Sequence, residues 1–276
     1  MEFGKDIKVG NTVYTDDFGF LHGFSLFETF LVNRHGGVFL LDNHIDRLFN
    51  SMNHFDFKIG FTKEDFKGFV LDYIKDNGIV NRIMRVTVSY GNSLKGINSQ
   101  VHINLREYCL TPDDYKKGYR LKVSDVRKSE YSYVIRHKTA NYIENYLIAQ
   151  KALKDGFQDA ILLNSKENIT ETTRCNLFSV KGSIIYTPAV KCGLLPGIIR
   201  DWVIEKAKDS KIQVLEGEYH IHDLLEADEV FVTNSVIGIM GVYGIEDKTF
   251  KQRCKKSITD LLQDGYMGEA QGSFQY

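Results

Sequence analysis

Residues 157–188 read FQDAILLNSKENITETTRCNLFSVKGSIIYTP. Apolar runs at 160–163, 176–180 and 183–187 are separated by turn signals at 164–168 and at Lys181-Gly182, which predicts three short strands in succession. The period then changes. In GLLPGIIRDWVIEKA (residues 193–207), Pro196-Gly197 stands directly before a helical pattern that starts at Ile198. Further strands are expected at 119–123, 212–215 and 229–233. A helix is expected from Asn141 to about Lys154, with Asn141 and Glu144 as a capping box, Ile143, Leu147 and Leu153 as the apolar stripe and Gly156 as the stop.

The first hundred residues continue the mixture. SLFETFLV (25–32) reads as a strand, with a turn at 33–37 and VFLL (38–41) as its hairpin partner; VGNTVY (9–14) alternates weakly. Ile45, Leu48, Phe49 and Met52 then recur at helical spacing behind Asp42 as cap. A second helix follows Thr62 with Phe66, Phe69, Val70, Tyr73 and Ile74 on one face. Strands return at 82–90 and 101–108, and the apolar pattern breaks at CLTPDDYKKG (109–118), a linker candidate. The fold class expected is α/β in the mixed α+β sense, with a smaller N-terminal domain over 1–114 and a larger C-terminal one over 115–276. The polar tail from Gly265 is expected to be irregular.

The chain has 276 residues, 43% hydrophobic and 26% charged, enough for a sizeable core without staples. Thirty-five Lys and Arg oppose thirty-six Asp and Glu, so there is no basic excess with which to grip a nucleic-acid backbone. The short clusters Lys116-Lys117 and Lys255-Lys256 read as solvated surface. No apolar run reaches the roughly 18 residues of a membrane span, and MEFGKDIKVG is not followed by a signal segment. Cys109, Cys175, Cys192 and Cys254 show neither CxxC nor zinc-ribbon spacing, which fits free thiols in a reducing compartment. A cytoplasmic protein that binds a small molecule, with no nucleic acid and no membrane as partner, is expected.

Several chemical motifs are missing: HExxH, GxGxxG between strand and helix, GxxxxGK[ST] and GxSxG. His220 and His222 form an HxH in a stretch that reads as extended, without a third ligand, so no metal site is assigned. Ile198 and Ile199 fall in the first turn of a helix, whose outward N–H groups and dipole make a phosphate seat that needs no lysine. Thr233-Asn234-Ser235, after the strand EVFV, offers hydroxyls and N–H groups to the same kind of anion. Lys138 precedes a helix; alone it reads as solvated, but directed inward its pKa would fall and its amine would react with carbonyls. Glu171, alone, reads as an ordinary loop carboxylate.

Six segments change these readings: HGFSLFETFLV (22–32), HIDRLFNSM (44–52), RHKTANYIENYLIAQKAL (136–153), FQDAILLNSKENITETTRCNLFSV (157–180), YTPAVKCGLLPGIIR (186–200) and ADEVFVTNSVIGIMGV (227–242). In this order and spacing the chain resembles the class IV aminotransferase family, the fold-type IV enzymes that use pyridoxal 5'-phosphate. The resemblance implies a two-domain fold of the D-amino-acid aminotransferase type and a homodimer. It implies that Lys138 carries the cofactor and then moves a proton, and that Glu171 keeps the pyridine nitrogen protonated. It further implies that Arg47, the backbone at Ile198 and Ile199, and Thr233 and Asn234 hold the phosphate. Three features depart from the family pattern. Ile199 stands where threonine is usual, GFSLFE stands for GDGxFE, and Gly241 replaces a proline.

Three activities of the family compete: 4-amino-4-deoxychorismate lyase, D-amino-acid aminotransferase and branched-chain aminotransferase. Phe27-Glu28-Thr29 and the TNSxxGIxxV pattern from Thr233 resemble the lyase group, where a threonine at the place of Thr29 is implicated in proton handling. The stretch SYGNSLKG lacks the arginine and histidine pair of the D-amino-acid enzymes. The expectation is therefore the lyase, releasing 4-aminobenzoate and pyruvate from a small amino substrate, with the two transaminases as alternatives. A cofactor-binding scaffold without activity is the non-enzymatic alternative, but it predicts loss of Lys138 or Glu171, and both are present.

Overall fold

The computed structural model of the protein describes residues 2–3, 7–8, 12–250 and 257–271. It is a mixed α+β fold that divides into two compact units. One comprises residues 1–109 together with 137–142, and the other comprises 110–136 together with 143–276. The changeover therefore lies at 109/110 rather than at 114/115, and a six-residue segment returns to the first unit. Among the described residues no helix is long and apolar enough to cross a membrane.

The first unit is built on an antiparallel three-stranded sheet, Ser25–Val32, Arg82–Ser89 and Val101–Glu107, in that order. Alternation decides its two faces. Leu26, Phe30 and Val32 point with Met84, Val86 and Val88 into a core closed by Ile45, Leu48, Phe49 and Met52 of the helix Leu41–His54 and by Phe66, Phe69 and Val70 of the helix Lys63–Asp76. Thr62 caps the second of these helices in a reciprocal box with Asp65, as its sequence predicts. The expected hairpin partner at 38–41 is not a strand. Only Val38 bridges Val32, and the long partner of 25–32 is Arg82–Ser89, whose β-branched alternation pairs over the full length. Asp42 is not the cap either; the helix starts after Leu40 at φ 53°, and Asp42 lies in its first turn, where a carboxylate suits the helix dipole.

The returning segment is held by the edge of strand Ser25–Val32. Phe27 N–H donates to the Lys138 carbonyl at 2.9 Å, Ala140 N–H donates to the Ser25 carbonyl at 2.8 Å, and Leu26 bridges Thr139. His137 Nδ1 lies 2.9 Å from Ser51 Oγ, and its ring stacks on His54. The expected assignment of Lys138 to the C-terminal lobe is corrected by these backbone bonds, which satisfy the exposed edge of the sheet.

The second unit carries a nine-stranded mixed sheet. Its order is Val214–Gly217, Ile184–Pro188, Asn176–Lys181, Glu229–Asn234, Gly238–Ile245, Tyr119–Lys128, Asp159–Asn164 and Ile169–Thr172, with Lys248–Thr249 added beside Gly238–Ile245. Leu121, Ile161, Leu177, Val230, Val232, Met240 and Val242 fill the core. Phe178 and Phe231, paired in register, stack at 4.9 Å on the face opposite Val230 and Val232. Three strands of this sheet are not among those expected: Ile169–Thr172 and Gly238–Ile245, since a polar ITET and a glycine-rich run both hide the alternation, and the two-residue Lys248–Thr249, too short to show one.

Four other expectations change. The linker candidate contains the helix Pro112–Lys117, capped by Thr111. His220 is not in a strand; it caps the short helix Ile221–Leu225, and His222 pairs with Glu226. The described part of the tail, 265–271, belongs to the helix Ile258–Gln271, with Tyr266 buried edge-on against Trp202. Gly238, at φ 63°, makes room for it, because a Cβ there would lie 2.1 Å from the Tyr266 ring. In the helix Ile143–Lys154 the buried side chains are Ile148, Ala149 and Ala152, whereas the supposed core stripe faces outward, Ile143 at 74% and Leu147 at 60% exposure. The weak strand at 9–14, Lys255-Lys256 and Cys254 fall wholly or partly outside the described residues.

Candidate active site

Each unit gathers its own group of the expected site residues. In the first, Lys138 is half-buried and its Nζ stands 4.6 Å from the centroid of the Phe27 ring. The guanidinium of Arg85 lies over the same ring at 3.5 Å, its Nε donating to Thr87 Oγ1. Tyr142 meets Phe27 edge-on. Thr29 is opposite Arg85 in register, and alternation puts it on the same sheet face as Phe27. This face thus brings together Lys138, Thr29 and Arg85. Arg85 was not singled out from the sequence, and it has no carboxylate partner among the described residues. Burial and the neighbouring Arg106 push its pKa below the ordinary arginine value.

On the other face of the same strand, Glu28 is buried among apolar neighbours. Arg47 grips it with two parallel bonds, Nε to Oε1 at 2.8 Å and Nη2 to Oε2 at 2.7 Å, and His44 Nδ1 reaches Oε2 at 2.7 Å. His44 and Arg47 stand three residues apart on one helix face, so both reach one carboxylate. Burial by itself would raise the Glu28 pKa, but the Arg47 charge, the charge His44 carries at low pH and the hydrogen bonds from both outweigh it and hold it at about 2. Burial moves His44 the other way, to below its ordinary value, despite Glu28. His44 is therefore neutral near pH 7, and Arg47 is the cation that keeps Glu28 ionised.

A pH dependence follows with a definite sign. A carboxylate depressed by folding contributes stability that is present above its unfolded pKa and lost as pH falls through the folded one. The Glu28 contribution, about 3 kcal/mol by linkage, is expected to disappear between pH 4.5 and about 2. Denaturant midpoints measured across that window should be flatter in Glu28→Gln than in the wild type. Equal slopes would refute the assignment.

In the second unit Glu171 sits in the strand Ile169–Thr172, not in a loop. Its Oε1 pairs with Lys128 Nζ, and Oε2 accepts the Leu195 N–H at 3.1 Å. Asn176 Nδ2 donates to the Leu195 carbonyl at 2.8 Å. Leu195 is thus held at both its N–H and its carbonyl, which fixes the turn that leads through Pro196 and Gly197 into the helix Ile198–Asp209. Gly197 is the N-cap and offers no side chain to the first-turn N–H groups. A Cβ at Gly197 would stand 1.9 Å from Asn176 Oδ1, so only glycine fits. Thr233 is the cross-strand partner of Asn176. Its Oγ1 is buried and makes no hydrogen bond among the described residues.

The other expected residues of this unit are placed differently. Asn234 uses its amide within its own turn. Oδ1 accepts from the N–H groups of Val236 and Ile237 at 2.9 Å, and Nδ2 approaches the Arg174 carbonyl and Cys175 Sγ. Its side chain orders the turn. Ile198 and Ile199 are both buried and contribute apolar packing as well as first-turn N–H groups. Lys128, Leu195 and Asn176 were missed, because only the tertiary fold brings them to Glu171 and Gly197.

The class IV amino-transferase family model matches residues 25–245, and the chain belongs to this family. It is a pyridoxal-phosphate-dependent enzyme of the aminotransferase and lyase class, of the kind that acts on small amino substrates. It is 31% identical over 267 residues to a Methanocaldococcus jannaschii protein that bears the name of a branched-chain-amino-acid aminotransferase, covering 95% of this chain and 91% of the other. It is also 31% identical over 251 residues to the aminodeoxychorismate lyase of Bacillus subtilis, covering 89% and 85%. Among solved structures, the Escherichia coli branched-chain amino acid aminotransferase superposes with a TM-score of 0.87 at 26% identity, covering 96% of this chain and 92% of that one.

Proposed function

We propose that the protein is a class IV aminotransferase that passes the amino group of a small amino acid, branched-chain in the first instance, to 2-oxoglutarate. The observation that carries this reading is Arg85, a half-buried guanidinium with no carboxylate partner among the described residues, stacked on the ring that also faces Lys138. It is suited to a carboxylate of the acceptor. The branched-chain relatives weigh toward a transaminase, although the sequence motifs favoured the lyase.

The residues of the chain fit pyridoxal phosphate. In the second unit the buried, unbonded Thr233 hydroxyl and the uncapped helix start at Gly197 suit a phosphate; in the first, Arg47 is by itself a cation of the kind that binds one. When bound, the cofactor supplies an electron-withdrawing ring that stabilises negative charge on the substrate carbon beside the amine. Lys138 is the amine that carries the cofactor and the base that moves the proton from that carbon. Glu171, paired with Lys128 and directed by the Leu195 N–H, is the partner for the ring nitrogen. Arg85 orients the substrate carboxylate. The outward Ile143, Tyr146 and Leu147 face is the surface on which we expect two copies to meet as a homodimer, and the buried free thiols of Cys175 and Cys192 suit the reducing cytoplasm.

The lyase is the second reading. It is supported by the Bacillus subtilis relative and by Thr29, which shares a sheet face with Phe27 and Arg85. Turnover assays separate the two. A branched-chain or D-amino acid should react only when 2-oxoglutarate is supplied. Pyruvate and 4-aminobenzoate from aminodeoxychorismate alone, without transamination, would replace the first reading by the second. Arg85→Gln is expected to raise KM for 2-oxoglutarate about 10- to 100-fold with a small change in kcat. An unchanged KM would remove Arg85 from the substrate site.

A further inference from the structure

We propose that Glu28 is a positioning residue for the cofactor phosphate, gripping Arg47 so that its guanidinium is held in one orientation toward the anion. This rests on the reading that Arg47 meets phosphate. Glu28 is the odd residue in its setting, since the neighbours on its face of the strand, Leu26, Phe30 and Val32, are apolar core. A hydrophobic residue would join strand to helix as well or better, because two buried charges pay a desolvation penalty that their attraction barely recovers. Stability alone does not account for a carboxylate there. Orientation does.

Both Glu28 oxygens are used. Arg47 takes one bond to each, a planar fork-to-fork match that fixes the guanidinium in position and in rotation. His44 adds a third bond and steadies Oε2. Its ring is buried, and Nε2 makes no hydrogen bond among the described residues, so burial keeps it neutral and it donates from Nδ1. One carboxylate and one guanidinium leave this cluster with no net charge. What it offers a phosphate is therefore direction, with little electrostatic pull. Lys138, in the same unit, also bears electrostatically on His44.

This makes an unusual prediction about sign. Glu28→Gln adds one positive charge to the cluster, so a seat that worked by charge would bind phosphate more tightly. A seat that works by orientation binds it less tightly. Full-length protein stripped of cofactor would be titrated with pyridoxal phosphate and, separately, with pyridoxal, which lacks the phosphate. In Glu28→Gln the Kd for pyridoxal phosphate is expected to rise about 10- to 100-fold while that for pyridoxal stays within about 2-fold. Unchanged or tighter pyridoxal phosphate binding, or equal weakening for both ligands, overturns the proposal.

Arg47→Ala is the arm that tests the underlying reading. If it leaves pyridoxal phosphate binding unchanged, Arg47 is not in the phosphate seat and both ideas fall. If it weakens binding and Glu28→Gln does not, only the positioning role falls. Should Glu28→Gln not fold, Glu28→Asp keeps the charge but shortens the arm. The Arg47 Nε–H resonance should then exchange faster with solvent, and the same selective loss for pyridoxal phosphate is expected. Slow exchange with unaltered binding in that variant would also overturn the proposal.

Discussion

Replacing Lys138 by alanine is expected to lower kcat by about 10⁴-fold while leaving the fold intact. The reason is the separation of backbone and side-chain roles at this position. The main chain of residues 138–140 is tied to strand Ser25–Val32 by the Phe27 and Ala140 hydrogen bonds, which an alanine keeps. The contact of the side-chain ammonium with the Phe27 ring contributes about 0.5–2 kcal/mol. Chemistry loses far more, since one amine both carries the cofactor and moves the proton. Steady-state turnover together with a thermal unfolding midpoint checks this. A variant that turns over within tenfold of the wild type would assign the chemistry to another residue.

The second large effect is expected at Glu171, and here stability and activity fall together. Glu171→Ala strands Lys128 in a site where its side chain is only 15% exposed, and it removes the acceptor of the Leu195 N–H. Breaking a pair this buried costs about 3 kcal/mol. Loss of the ring-nitrogen partner adds a fall in kcat of roughly 10³-fold. The two consequences can be separated by Glu171→Ala with Lys128→Met, which removes the stranded charge. Urea midpoints should return most of the way to wild type in the double variant, whereas kcat should stay low. Recovery of both would make Glu171 a structural carboxylate and nothing more.

The outward face of the helix Ile143–Lys154 shows where periodicity misleads. Ile143, Leu147 and Leu153 recur at helical spacing and read as core, yet the helix turns the small Ala149 and Ala152, with Ile148, toward its own unit. A 3.6-residue period reports that a helix has an apolar stripe, not what covers it. Strand assignment failed for a related reason. Ile169–Thr172 is buried throughout while carrying two threonines and a glutamate, because Thr170 and Thr172 bond to Leu162 and Asp159. Such polar positions are invisible to a hydrophobic pattern.

What the order of residues determined by itself was the class of fold and the candidates for the site. The β-rich stretch 157–188, the Pro196-Gly197 break and the HKT and TNS segments are local signals, set by turn chemistry, helix capping and motif spacing. Only the tertiary structure decided how those members are held. Lys138 belongs to the first unit because its backbone completes a sheet edge more than a hundred residues earlier in the chain. Glu28, Lys128, Arg85 and Asn176 take their importance from partners far away in sequence, through a buried carboxylate, a shared ring and a twice-anchored Leu195. Hydrogen bonds and ion pairs of this kind depend on distances in space, and a sequence pattern carries no distance between elements that do not adjoin.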